Sequence, residues 1–185
     1  MRKILVALLA TLFLLGGSAT MVATAQDSTP ETDKDEAAAS GTNPVDPAIG
    51  DTVTYFTEDG EEAGTVTVES IERGWEDYDE FYEPEAGTEY VAVVVTVEST
   101  IERGAIDVES YDFSLQTANG GYWGTSFASS EDADPPLLED TVSLASGDSE
   151  TFTLVYQVYE DEELAHLFWS PDSGVLITAA QLEGE

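Results

Sequence analysis

Residues 74–87, GWEDYDEFYEPEAG, set four aromatic rings among six carboxylates. Trp75, Tyr78, Phe81 and Tyr82 supply ring faces, while Glu76, Asp77, Asp79, Glu80, Glu83 and Glu85 supply negative charge. Rings flanked by carboxylates suit a cationic or amine-bearing ligand, because the ring face and the carboxylate attract the same charge. The same composition also fits a long loop pinned down by its rings while its acids face water. A contact surface here would expose Trp75 or Tyr82 in a contiguous apolar patch; burial of both would remove it.

Clustered carboxylate oxygens are also what a hard cation binds, which makes Asp77, Asp79 and Glu80 calcium candidates. Glu131, Asp132 and Asp134, followed by Glu139 and Asp140, form a second acidic set. Neither set has EF-hand spacing with its glycine at the sixth position, and solvated loop acids are the alternative. No cofactor is expected, and calcium is the one candidate. Zinc and copper lack their ligands in a chain with one histidine and no cysteine. Nucleophilic catalysis fares no better, since His166 is the only imidazole and no G-x-S-x-G elbow occurs. Two loop carboxylates facing each other across a cleft would serve glycoside hydrolysis, yet acids are so frequent that no pair stands out. The expectation is a protein that is not an enzyme.

The 185 residues hold 39 acidic and 5 basic side chains. Phosphate recognition needs clustered Lys and Arg, so nucleic acid is excluded as a partner, and an anionic membrane surface is disfavoured for the same reason. The acids run through the whole chain after Ala25 rather than forming one patch. That distribution fits a solvated surface in a salty medium better than a single cation site. The remaining partners are an extracellular protein or a small cationic ligand.

Arg2 and Lys3, an apolar run over residues 4–15 and the small-residue site Ala23-Thr24-Ala25 form the pattern of a secretory signal. Residues 1–25 are read as a signal peptide cleaved before Gln26, with a secreted or cell-surface product. An uncleaved signal helix is the alternative and the sole membrane contact expected. Without cysteine there is no cysteine-linked lipid and no disulfide. Residues 26–48 carry no aromatic residue, three prolines and many acids, the composition of a disordered linker.

These features hang on a domain over residues 49–185. Val53 and Tyr55 alternate with threonines, and Val66 and Val68 continue the pattern. Residues 90–97, YVAVVVTV, are apolar on both faces, as in a central strand covered on each side. Tyr111, Phe113 and Leu115 alternate with polar residues, Asn119-Gly120 marks a hairpin, and residues 122–127 form its return strand. Phe152, Leu154, Tyr156 and Val158 give the clearest alternation, and residues 167–169 and 175–182 close the chain. Residues 160–166 are the one stretch suited to a helical turn. Seven to eight short strands broken by Gly, Asn, Asp and Pro predict an all-β, antiparallel two-sheet sandwich. VESIERG at residues 68–74 recurs with one insertion at residues 97–104, which places Arg73 and Arg103 at strand ends beside abundant carboxylates.

The Val-rich strand, YDFSL with its NGG turn (residues 111–121), LASGDSETFTLVYQV (residues 144–158) and HLFWSP before a last apolar strand occur in a characteristic order. In this the chain resembles a family of secreted and lipid-anchored bacterial domains of unknown function. That family shares the immunoglobulin-like sandwich of the mycobacterial immunoprotective secreted antigen. The resemblance implies an immunoglobulin-like fold over residues 49–185 and brings no catalytic residues with it. Two departures are the lack of a lipid-anchor cysteine and Glu98-Ser99-Thr100 where an asparagine commonly ends the Val-rich strand. The expected function is a non-enzymatic binding module whose contact surface is the Trp75 loop, with residues 131–140 beside it. A calcium-stabilised envelope protein and a small carbohydrate-active enzyme using loop carboxylates are the alternatives.

Overall fold

Alternating strands are stable only where their apolar faces meet, and in this chain two four-stranded sheets supply the meeting faces. The structure, a computed structural model, describes residues 42–138, 141–171 and 174–182. The signal-peptide reading falls outside those residues, as do most of the tail and the acids Glu139 and Asp140. Among the described residues, no helix is long and apolar enough to cross a membrane.

Ten strands follow in order among the described residues: β1 (Thr52–Phe56), β2 (Glu62–Arg73), β3 (Thr88–Ser99), β4 (Ala105–Val108) and β5 (Phe113–Thr117), then β6 (Tyr122–Gly124), β7 (Val142–Ala145), β8 (Ser149–Tyr159), β9 (Leu164–Trp169) and β10 (Ile177–Gln181). One sheet runs β1-β2-β3-β8, the other β10-β9-β5-β6, and β4 pairs with β7 in a small ribbon. All of these strand pairs are antiparallel. The all-β sandwich expectation holds, and the fold is immunoglobulin-like. Its core lies between the sheets. Val91, Val93, Val95 and Val97 of β3 and Phe152, Leu154, Tyr156 and Val158 of β8 face Phe113, Leu115, Leu167 and Trp169 of the second sheet. Trp169 stacks on Phe113 with centroids 5.8 Å apart, and Phe113 meets Phe152 edge-on at 5.9 Å. Each such side chain contributes roughly 1.5–3 kcal/mol by leaving water.

Four local expectations change. Tyr111 is exposed on a single 3-10 turn, Ser110–Asp112, and β5 starts only at Phe113. The hairpin at Asn119-Gly120 forms, with Gly120 at φ 86°, but its return strand stops at Gly124 rather than reaching Phe127. His166 sits within β9, not in a helical turn. Burial of Leu164, Leu167 and Trp169 and pairing with β5 outweigh the helix-forming composition of residues 160–166. The domain also begins before Ile49. The Asn43 side chain donates to the Thr54 carbonyl at 2.8 Å and accepts from the Thr54 N–H at 2.7 Å, while the carbonyl of buried Pro47 accepts from the Gln181 N–H at 2.6 Å. Residues 43–48 therefore belong to the sandwich, not to the linker.

Candidate functional site

β3 is apolar on its outward face as well, and Tyr90 and Ala92 need cover there. Gly74, at φ 63°, turns the chain at the end of β2 so that the Trp75 N–H reaches the Tyr90 carbonyl at 3.1 Å. The indole then lies across the sheet. Trp75, Tyr90, Ala92 and Val155 form a second, smaller core, with Tyr78, Ala128, Ala133 and Leu137 packed against it. Tyr78 meets Tyr90 edge-on at 5.3 Å and lies 6.2 Å from Trp75. Burial first, and Tyr78 second, push the Tyr90 hydroxyl above its ordinary range.

The segment between β6 and β7 completes the site. It runs along the free edge of β8: the Ser126 N–H donates to the Val155 carbonyl at 2.7 Å, the Thr153 N–H to the Pro136 carbonyl at 2.9 Å, and the Leu138 N–H to the Thr153 carbonyl at 3.1 Å. The Thr153 hydroxyl adds a bond to the Pro135 carbonyl at 2.8 Å. An edge strand that would otherwise offer open backbone groups is thereby sealed. The two segments touch where the Asp79 N–H donates to the Ser129 carbonyl at 2.8 Å. The sequence places the two loops side by side only by conjecture; this bond and the shared small core join them.

Between them opens a cleft of about 320 Å³, lined by Tyr82, Phe127, Ser129, Leu137, Leu138 and Val155 among others. Tyr82 and Phe127 are paired at 5.6 Å. Phe127 is 85% exposed and Phe81 86%. Of the four predicted rings, Trp75 is a core residue at 5% exposure, Tyr78 is half-buried against it, Tyr82 lines the cleft and Phe81 faces solvent. Phe127 was not among the candidates, since its segment reads as a return strand. Trp75 therefore acts as the pin of the loop and not as its contact ring.

Among the described residues no carboxyl or imidazole lines the cleft, though exposed Glu80, Glu83, Glu131, Asp132 and Asp134 flank its rim residues in the chain. Among the described residues, no three Asp, Glu or His side chains come together as a cation site, so Asp77, Asp79 and Glu80 do not converge with Glu131, Asp132 and Asp134. Neither arginine of the domain reaches the cleft. Arg73 pairs with Glu89 and donates to the Glu162 carbonyl at 2.7 Å, whereas exposed Arg103 has no ion pair with a described residue. Arg103 lines a separate depression with Glu61, Glu62 and Glu102. The cleft can thus receive an apolar group, and its surroundings favour positive charge beside it.

This is an immunoglobulin-like antiparallel sandwich carrying an aromatic-rimmed cleft at a sealed sheet edge. The chain belongs to the family described as Domain of unknown function (DUF4352), whose model matches residues 60–173. None of the curated proteins compared matches it. Among solved structures it is similar to MPT63, a secreted protein from Mycobacterium tuberculosis, at 15% identity and TM-score 0.53, covering 77% of this chain and 99% of that one. The yjhA protein from Bacillus subtilis is similar at 18% identity and TM-score 0.54, covering 74% and 99%. A third, ycdA of Bacillus subtilis, described as a candidate lipoprotein, gives 17% identity and TM-score 0.50 over 66% of this chain. This chain spans only 37% of the length of that protein. At such identities the likeness is one of fold.

Proposed function

We propose that the domain is a non-enzymatic interaction module outside the cytoplasm, and that it takes a cationic group carried on an apolar body into the cleft beneath Tyr82 and Phe127. The observation that carries this reading is the solvent-exposed Phe127 ring, paired with Tyr82 at the mouth of a cleft lined by both aliphatic and hydroxyl side chains. Exposing such a ring has no folding benefit, and a ring that fills a ligand contact recovers that cost on binding. The lack of any cationic side chain among the described lining residues, with acids flanking the rim, favours an amine or a basic side chain as the occupant.

Export rests on the basic, apolar and small-residue pattern of residues 1–25. N-terminal sequencing of protein from culture medium is expected to begin at Gln26. For the cleft, calorimetric titration with phenethylammonium and with a short Lys-Leu peptide is expected to show binding that Phe127→Ala weakens by roughly threefold to tenfold. Binding unchanged in Phe127→Ala, or absent for both probes, would remove the cleft as the site.

A further inference from the structure

The described outward-facing residues of the second sheet are uncharged, in a chain where acids outnumber bases 39 to 5. Phe113, Leu115, Leu167 and Trp169 point into the core, so their neighbours on β5 and β9 point out. Those neighbours are Ser114 and Gln116, His166 and Phe168. The register sets Gln116 between His166 and Tyr122, and Phe168 between Ser114 and Thr178. Gly124, opposite Ser114, adds no side chain. Gln181 completes the row beside His166. None of these residues carries a carboxylate, lysine or arginine; Asp46, bonded to the Gln181 amide at 2.9 Å, stands at the corner.

The rings on this face form one contiguous strip. Tyr122 stacks with Phe168 with centroids 6.0 Å apart and planes 28° apart, and His166 stacks with Phe168 at 5.5 Å and 25°. Gln116 locks both ends. Its amide N–H donates to the Tyr122 hydroxyl at 2.8 Å, and its carbonyl oxygen lies 3.0 Å from His166 Nδ1. With that amide oxygen accepting, the neutral imidazole carries its proton on Nδ1 and leaves Nε2 as an acceptor. The Tyr122 O–H remains free to donate. Tyr122 itself is 60% exposed.

From this geometry we infer that the outer face of the β10-β9-β5-β6 sheet is a binding platform for an uncharged oligosaccharide or polysaccharide. The apolar C–H faces of a sugar ring match an aromatic strip, and its hydroxyls match the amide, hydroxyl and imidazole groups fixed around it. Charge narrows the ligand class: apart from Asp46 at its corner, the described patch carries no carboxylate, lysine or arginine, so it offers nothing to an anionic polymer and little to a cationic one. A second copy of the chain is the other occupant an aromatic face can take. The polar share of this face, with two glutamines, a serine and a threonine among its outward residues, fits a hydroxylated ligand better than a self-association core. Preorganisation by Gln116 limits the ordering cost on binding.

Native affinity electrophoresis of the full chain in gels containing dextran, mannan, xylan or mixed-linkage β-glucan tests the platform, with polygalacturonate as the charged control. Retardation is expected in at least one neutral gel and not in the control. Tyr122→Ala and Phe168→Ala are expected to weaken it by roughly threefold to tenfold, with Tyr122→Phe retaining most of it. Phe127→Ala, in the cleft, is expected to leave it unchanged, and near-ultraviolet dichroism confirms that each variant is folded. Migration unaffected by all four neutral polymers, or retardation that survives Tyr122→Ala together with Phe168→Ala, overturns the inference. Concentration-dependent dimerisation abolished by the same two variants also overturns it, in favour of a second copy.

Discussion

Tyr156 shows what a single side chain can reveal about this core. Its ring is fully buried between the sheets, and its hydroxyl has no hydrogen-bond partner among the described residues. Burial drives the phenol far above its ordinary range. The unfolded chain ionises near pH 10 while the folded chain holds its proton, so stability is full below about pH 10 and falls as pH rises further. Tyr156→Phe removes an uncompensated hydroxyl and should be neutral or stabilising by about 1 kcal/mol in urea unfolding. It should also flatten the alkaline limb of a stability-pH profile. Trp75 and Phe127 make the opposite pair. Trp75→Ala is expected to cost about 3 kcal/mol, because it empties the small core over β3. Phe127→Ala should stay within about 0.5 kcal/mol of the parent in the same urea titration.

At the scale of elements, β8 carries the clearest alternation in the chain and forms as read, and the two-faced apolar run of β3 correctly implies cover on both sides. What covers its outer face is legible only in part. The Trp75 loop stands out by composition, but the return of residues 125–138 along β8 depends on backbone groups that no side-chain pattern reports. No side-chain pattern therefore marks Phe127 as a rim residue. β4 and β7 escape for a different reason, since four residues each are too few to show a period beside stronger neighbours. Glu and Ala around His166 favour a helical turn, and pairing with β5 outweighs them. The sealed edge makes its own prediction. Ser126→Pro removes the N–H that bonds Val155, should cost about 1–3 kcal/mol, and should raise light scattering on heating as the β8 edge opens.

For the molecule as a whole, charge sets the conditions under which it holds together. One ion pair, Arg73 with Glu89, is present among the described residues, so most carboxylates have only solvent ions to moderate their repulsion. Screening tightens from about 30 Å at 0.01 M salt to about 3 Å at 1 M. The thermal midpoint is therefore expected to rise by several degrees over that range of sodium chloride. Because no cation site assembles among the described acids, millimolar calcium and chelator at matched ionic strength should give the same midpoint. A rise specific to calcium would mean that the acidic loops do gather an ion.

The clasp at the start of the domain has a mechanical side. Asn43 grips Thr54 of β1 through two hydrogen bonds, and four residues later Pro47 holds the backbone of Gln181 in β10. Tension arriving from the chain ahead of Asn43 is shared between the first strand and the last, in different sheets, before either can peel. The entry to the sandwich behaves as a strain relief, and a tug there loads both layers at once.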